Sequence, residues 1–205
     1  MQPAALPLRE IADIAKLLEA HAELHALLSY VESLDLSDGW IGAGFIRNAV
    51  WDALHGRPIE ASSLNDVDVI YLDPADAHEE RDTALESRLR ALAPAVNWQV
   101  RNQARMHLRN GDAPYQTISD AIARWPETAT AIAARTIHGK VEVMAPYGTA
   151  DLIALIVRPT PAFTHKMEIY RARLRSKNWA ARWPSLSFCD EFRDPRHSSL
   201  ARIVT

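Results

Sequence analysis

Two aspartates stand one residue apart in Asn65-Asp66-Val67-Asp68-Val69-Ile70-Tyr71-Leu72, downstream of a Gly42-Ala43-Gly44 triplet. Successive residues of a strand point to opposite faces, so Asp66 and Asp68 share one face and Val67, Val69 and Tyr71 the other. Two carboxylates side by side repel each other, and a cation between them relieves that repulsion. Hard oxygen donors suit Mg²⁺, or Mn²⁺ in its place. A Gly-x-Gly turn lets backbone N–H groups approach a phosphate, and a helix starting after it favours the anion. A phosphate cradle followed by metal-binding carboxylates points to nucleotide chemistry.

The elements that would position these groups can be read from patterning. Apolar residues at helical spacing (Ile11, Ile14, Leu17, Leu18, Leu24, Leu27, Leu28) predict a long helix or a helix pair over 8–30. Trp40-Ile41 is a short strand and Phe45–Leu54 a helix, closed by His55-Gly56-Arg57-Pro58. Val67–Leu72 is a strand, Asp76–Ala93 a helix and Asn97–Val100 the next strand. If that strand continues, Arg101, Arg105 and His107 line one of its faces. A short helix follows over Ile118–Ala123, and a second starts at Pro126-Glu127 and runs on through Thr128–Arg135. Lys140–Met144 alternates as a strand, Asp151–Val157 is a short helix, and Thr164–Trp179 a last amphipathic helix whose buried side is Met167, Tyr170 and Leu174. Residues 1–188 read as one α/β domain with helical flanks, and 189–205 as a loose tail.

The stretch Trp40-Ile41-Gly42-Ala43-Gly44-Phe45-Ile46-Arg47-Asn48, then Asp66-Val67-Asp68, resembles the signature of the DNA-polymerase-β-type nucleotidyltransferase superfamily. It is similar to the Gly-Gly-x-x-Arg-Asp opening of CCA-adding tRNA nucleotidyltransferases, with Asn48 in place of Asp. More of the chain resembles the DUF925-type bacterial nucleotidyltransferase proteins: Gly42–His55, Trp98–His107, Trp125–Arg135, Ala145-Pro146-Tyr147-Gly148, Asp151-Leu152 and Val157–Phe163. The resemblance implies an α+β, polymerase-β-like fold, a small mixed sheet flanked by helices. It also implies transfer of a nucleoside monophosphate from an NTP to a hydroxyl, with Asp66 and Asp68 as shared metal ligands. Gly42, Ala43 and Gly44 would then form the phosphate turn, with Arg47 a bidentate phosphate contact and Asn48 beside it.

Active members of that superfamily usually carry a third carboxylate on a following strand. Here Trp98-Gln99-Val100-Arg101-Asn102-Gln103 has no acid. Glu142, a polar residue between Val141 and Val143, is the favoured candidate. Asp151 is a second, although it also suits a helix N-cap, and Asn102 would ligate only through its carbonyl. The gap keeps open a rival reading, a catalytically degenerate module that binds a nucleotide or a partner.

Other chemistries fit less well. His21-Ala22-Glu23-Leu24-His25 is not the His-Glu-x-x-His zinc motif, and a polar helix face explains it. Ser62 and Ser63 lack a His and Asp partner set. Trp98 and Trp125 read as core anchors rather than base-stacking platforms.

The chain has 205 residues, of which 48% are hydrophobic, enough for a sizeable core. No apolar run is long enough for a membrane span, no signal-peptide pattern opens the chain, and the single cysteine cannot form an internal disulfide. A cytoplasmic protein is expected. Net charge is −3, but acids concentrate over 66–86 and bases over 158–182. The basic helix carrying Arg171, Arg173, Arg175 and Lys177 is compatible with an RNA acceptor; a small molecule or a protein side chain is equally open. The length leaves out large RNA-gripping extensions, so CCA addition is not expected.

Overall fold

The computed structural model describes residues 8–194 and residue 196. Two helices open it, α1 (Ile11–Ala20) and α2 (Ala22–Glu32), so the long apolar pattern resolves into a pair. The break falls at His21, whose backbone is extended and whose Nδ1 lies 2.7 Å from the Leu17 carbonyl. Both helices bury one stripe: Ile14, Leu17 and Leu18, then Leu24, Leu27, Leu28 and Val31.

Strand β1 (Trp40–Gly42) leads through a tight turn into α3 (Gly44–Leu54), and β2 (Val67–Tyr71) follows. Next come α4 (Glu79–Leu92), β3 (Trp98–Asn102), α5 (Gln103–Asn110) and α6 (Ile118–Ile122). Then β4 (Ala133–Ile137) and β5 (Lys140–Met144) form a hairpin. The chain continues through α7 (Ala150–Ile153), β6 (Ile156–Val157), α8 (Met167–Lys177), α9 (Trp179–Arg182) and β7 (Ser187–Phe188).

Strands β1 to β5 form one mixed sheet in the order β3-β2-β1-β4-β5; β2 and β3 are parallel and the other pairs antiparallel. The mixed sheet backed by helices is the α+β, polymerase-β-like arrangement that the resemblance implied. Its two faces differ. Ile41, Val67, Val69, Tyr71, Trp98, Val100, Ala134 and Val141 belong to the main core with α1, α2, α3 and α4. On the other face Trp40, Ile70 and Ala133 meet Ile118 and Ile122 of α6 in a smaller cluster. Asp68, Gln99 and Arg101 lie on this second, partly open face, because the β2–β3 register pairs Asp68 with Gln99 and Ile70 with Arg101.

Three local expectations change. The strand expected to carry Arg101, Arg105 and His107 ends at Asn102, which caps α5 by accepting the Ala104 N–H at 3.0 Å. Arg105 therefore turns inward to Asp82 (2.5 Å), and of the three only Arg101 stays on the open face beside Asp68. The helix expected over 128–135 is a tight loop followed by β4. The buried Glu127 carbonyl accepts both the Thr130 and Ala131 N–H groups there, and β1 recruits Ala133 and Ala134 as its neighbours. Within 151–157 the helix stops at Ile153 and Ile156–Val157 pairs with β7.

The expected loose tail is anchored at its start. The Cys189 N–H donates to the Val157 carbonyl (2.8 Å), the Tyr170 hydroxyl donates to the Cys189 carbonyl (2.8 Å), and Asp190 pairs with Arg171 at 2.7 Å. The rest of that expectation, beyond Asp194 apart from Arg196, lies outside the described residues.

Candidate active site

The turn between β1 and α3 is shaped by three different needs. A Cβ at position 42 would fall 2.4 Å from the Trp125 ring, so Gly42 is required by that indole packing on the strand. Ala43 sits at φ 44°, ψ −106°, a conformation costly for any residue with a Cβ. Its N–H donates to the Ile132 carbonyl at 2.9 Å and its carbonyl accepts the Arg47 N–H at 3.0 Å, which holds it there. Gly44 opens the helix, and a Cβ on it would lie 3.4 Å from the Arg47 guanidinium.

Arg47 is buried at 7% exposure. Its guanidinium lies over the Trp179 ring (4.5 Å to the centroid) and the Trp51 ring (5.3 Å), and donates to the Asn48 side-chain carbonyl at 2.8 Å. Desolvation, only partly offset by the buried Glu127 charge, pulls its pKa down to about 10, still high enough to keep it protonated near neutrality. Arg47, expected at a phosphate, borders the small pocket beside Asp66. The structure places it under the turn, braced by tryptophans, with Asn48 as its acceptor.

Asp66 is exposed at the entry to β2 and Asp68 is half-buried on the open face. Neither carboxylate forms a hydrogen bond or an ion pair with the described residues. Burial first, and the Asp66 charge second, raise the Asp68 carboxyl above the usual carboxylate range, with Lys177, Arg47 and Arg101 opposing more weakly. A paired, partly desolvated carboxylate site with no ion pair at contact distance among the described residues fits a divalent cation with hard oxygen preference. Asp66 and Asp68 are the residues that would hold it. No group of three or more His, Cys, Asp or Glu side chains arranged to hold a metal occurs among the described residues.

The structure separates all three third-ligand candidates from this pair. Glu142 lies on β5, which β1 and β4 keep three strand positions from β2. At the usual strand spacing that is about 14 Å. It pairs instead with Arg135 at 2.9 Å, and Arg135 also reaches Asp38 at 3.1 Å and covers the Trp40 ring. Asp151 is buried on α7, 2.8 Å from Arg158 and accepting the Thr128 hydroxyl at 2.6 Å; Thr149, not Asp151, is the N-cap of α7. Asn102 points into the main core side, where its amide bonds the carbonyls of Asp73 and Asp76. The β3 residue beside Asp68 is Gln99.

Two cavities flank the aspartate pair. On the Asp68 side a cleft of about 530 Å³ runs past Ala43, Arg101, Arg124, Trp125, Lys166 and Arg173. On the Asp66 side a smaller pocket of about 140 Å³ is lined by Gly44, Arg47, Asn48, Lys177, Trp179 and Arg182. The larger volume is in the range of small-molecule sites. Sequence reasoning missed Glu127, Arg124 and Lys166, and took Trp125 as a core anchor, whereas it both packs on Gly42 and lines the cleft. Their signals are single residues in separate loops and helices, which no spacing rule joins.

Residues 29–188 match the family described as Nucleotidyltransferase. The chain belongs to the nucleotidyltransferase family. Among solved structures it is similar to a protein whose NMR structure is described as revealing a CCA-adding enzyme head domain. The two are 34% identical, with a TM-score of 0.78 over 88% of this chain and 96% of that one. Two further solved structures share the fold alone. The Thermotoga maritima CCA-adding enzyme complexed with tRNA is 13% identical, with a TM-score of 0.54 over 89% of this chain and 43% of that one. A CCA-adding enzyme with CTP is 15% identical, with a TM-score of 0.55 over 89% of this chain and 44% of that one. The chain spans less than half the length of these two enzymes. No curated protein matches. Among the described residues no helix is long and apolar enough to cross a membrane.

Proposed function

We propose that this nucleotidyltransferase-family protein transfers a nucleoside monophosphate from an NTP to a hydroxyl of an acceptor, with Mg²⁺ or Mn²⁺ held by Asp66 and Asp68. The observation that carries the reading is the pair of adjacent carboxylates, neither hydrogen-bonded nor ion-paired to the described residues, at the edge of a cationic cleft. An ion held by Asp66 and Asp68 would stabilise charge at the reacting phosphate and favour deprotonation of the attacking hydroxyl. The chain's own part is to orient. The Ala43–Gly44 turn presents the start of α3 to an anion, and the 11-residue helix adds its dipole. Trp125, packed on Gly42, forms one wall of the cleft. The acceptor is an RNA end, a small molecule or a protein side chain. The expected basic RNA stripe on α8 is reduced, since Arg171 is paired with Asp190 and Arg173 with Glu127.

The test is thermal unfolding with each of the four NTPs, with and without Mg²⁺ or Mn²⁺, on wild type and on Asp66→Ala/Asp68→Ala. A ligand at about 100 times its Kd adds roughly 2.7 kcal/mol. A metal-dependent shift absent from the double variant supports the reading, and no shift with any NTP overturns it. One observation favours a second reading, a nucleotide-binding module without turnover: the neighbour of Asp68 on β3 is Gln99 rather than an acid. Metal-dependent binding without pyrophosphate release, across RNA and small hydroxyl acceptors, would decide for the module.

A further inference from the structure

Two guanidinium groups approach the Trp179 ring, Arg47 at 4.5 Å and Arg173 at 5.7 Å from its centroid. They serve different cavities. Arg47 borders the small pocket beside Asp66, whereas Arg173 lines the large cleft together with Asp68 and Ala43. Arg47 donates from Nε and Nη2 to Asn48 Oδ1 and lies on its tryptophan bed. The Arg173 side chain is 30% exposed, and its Nε donates to Glu127 Oε1 at 2.7 Å. Its terminal nitrogens make no hydrogen bond to the described residues.

Glu127 is fully buried, and both of its carboxylate oxygens are taken. One accepts from Arg173 and the other accepts the Thr130 hydroxyl at 2.7 Å. A carboxylate fixed on two sides within the protein holds the guanidinium plane it pairs with. The two remaining nitrogens of that fork are left for a second anion. In the cleft, the anion brought beside Asp68 and the Ala43 turn would be the phosphate chain of the nucleotide.

We propose that Arg173, aimed by the buried Glu127, is a cation that binds the phosphates of the NTP in the large cleft, and that Arg47 is a support beneath the turn. The proposal rests on the metal–NTP reading above and assigns the grip on the triphosphate to α8. Glu127 is a positioning residue and does not itself touch the nucleotide.

The experiment is calorimetric titration of the full chain, with Mg²⁺, against the four α,β-methylene NTPs and the corresponding NMPs. The proteins are wild type, Arg173→Gln, Glu127→Gln and the double variant. Arg173→Gln is expected to weaken the triphosphate by about 10- to 100-fold, the worth of charge-assisted hydrogen bonds, and the NMP by less than about twofold. Glu127→Gln should weaken the triphosphate less, and adding it to Arg173→Gln should cost nothing more, since it acts through Arg173. Wild-type triphosphate affinity in Arg173→Gln, or equal losses for NTP and NMP, overturns the proposal and leaves the metal–NTP reading standing. No binding by the wild type overturns both. Should Glu127→Gln fail to fold, Arg173→Gln, at a partly exposed side chain, still decides.

Discussion

Asp68 gives up stability in the metal-free protein to hold its charge half out of water and next to Asp66. Its folded carboxyl is raised, so its stabilising contribution is complete below the unfolded value near about 4 and is lost as pH rises through the folded value. Asp68→Asn is therefore expected to raise the melting temperature of the metal-free protein at pH 7. That gain shrinks as pH falls towards about 4, and the metal-dependent NTP shift disappears. A metal-free Asp68→Asn protein that melts below wild type at pH 7 contradicts this account. Ala43 stores strain of another kind, a backbone conformation at positive φ. Ala43→Gly relieves it while loosening the unfolded chain, and the balance is a gain of up to about 1 kcal/mol in chemical denaturation. A loss of stability would show that the methyl group packs usefully in the cleft wall.

The β1–α3 turn, the β3–α5 junction and the β4–β5 hairpin assign the roles that single residues cannot. Because Trp125 lies on Gly42, Gly42→Ala forces the indole or the strand to move and is expected to cost about 1–3 kcal/mol. The same displacement should open the cleft wall and weaken NTP binding, measurable on the folded fraction at low temperature. Glu142 belongs to the opposite edge of the sheet, tied to Arg135. Glu142→Gln is expected to leave metal-dependent NTP binding and any turnover within error of wild type, with a stability change within the 0–1 kcal/mol range of an exposed ion pair. Loss of turnover in a stably folded Glu142→Gln protein would return that residue to the site.

The C-terminal elements close the molecule over the site through one carboxylate. Asp52 of α3 is 1% exposed. It accepts from Arg182 at 2.6 Å and from the Trp183 indole at 2.9 Å, with Arg57 at 3.5 Å. Trp179 and Trp183 in turn meet the Trp51 ring edge-on. Removing one partner of such a buried network typically costs about 3–5 kcal/mol. Asp52→Ala should lose stability of that order and, by freeing Trp179 beneath Arg47 and Arg173, weaken NTP binding as well. A variant that melts early but binds Mg²⁺–NTP normally would show that α9 stabilises the fold without shaping the site.

The sequence by itself determined the parts whose signals are local. The Gly42–Gly44 turn, the Asp66-Val67-Asp68 strand with its alternating faces and the β5 alternation are set by periods of a few residues. Patterning gave only the α/β class; the polymerase-β-like fold came from the resemblance of the motifs to a known family. Only the tertiary structure decided which strands stand next to one another. That order placed Gln99 rather than Glu142 near Asp68, gave Asp151 to Arg158, and used Asn102 as a cap. It also brought Glu127 and Arg173, 46 residues apart, into one ion pair on the cleft. Pairing across a sheet and salt bridges between segments distant in sequence depend on chain topology, and no local period in the sequence encodes that.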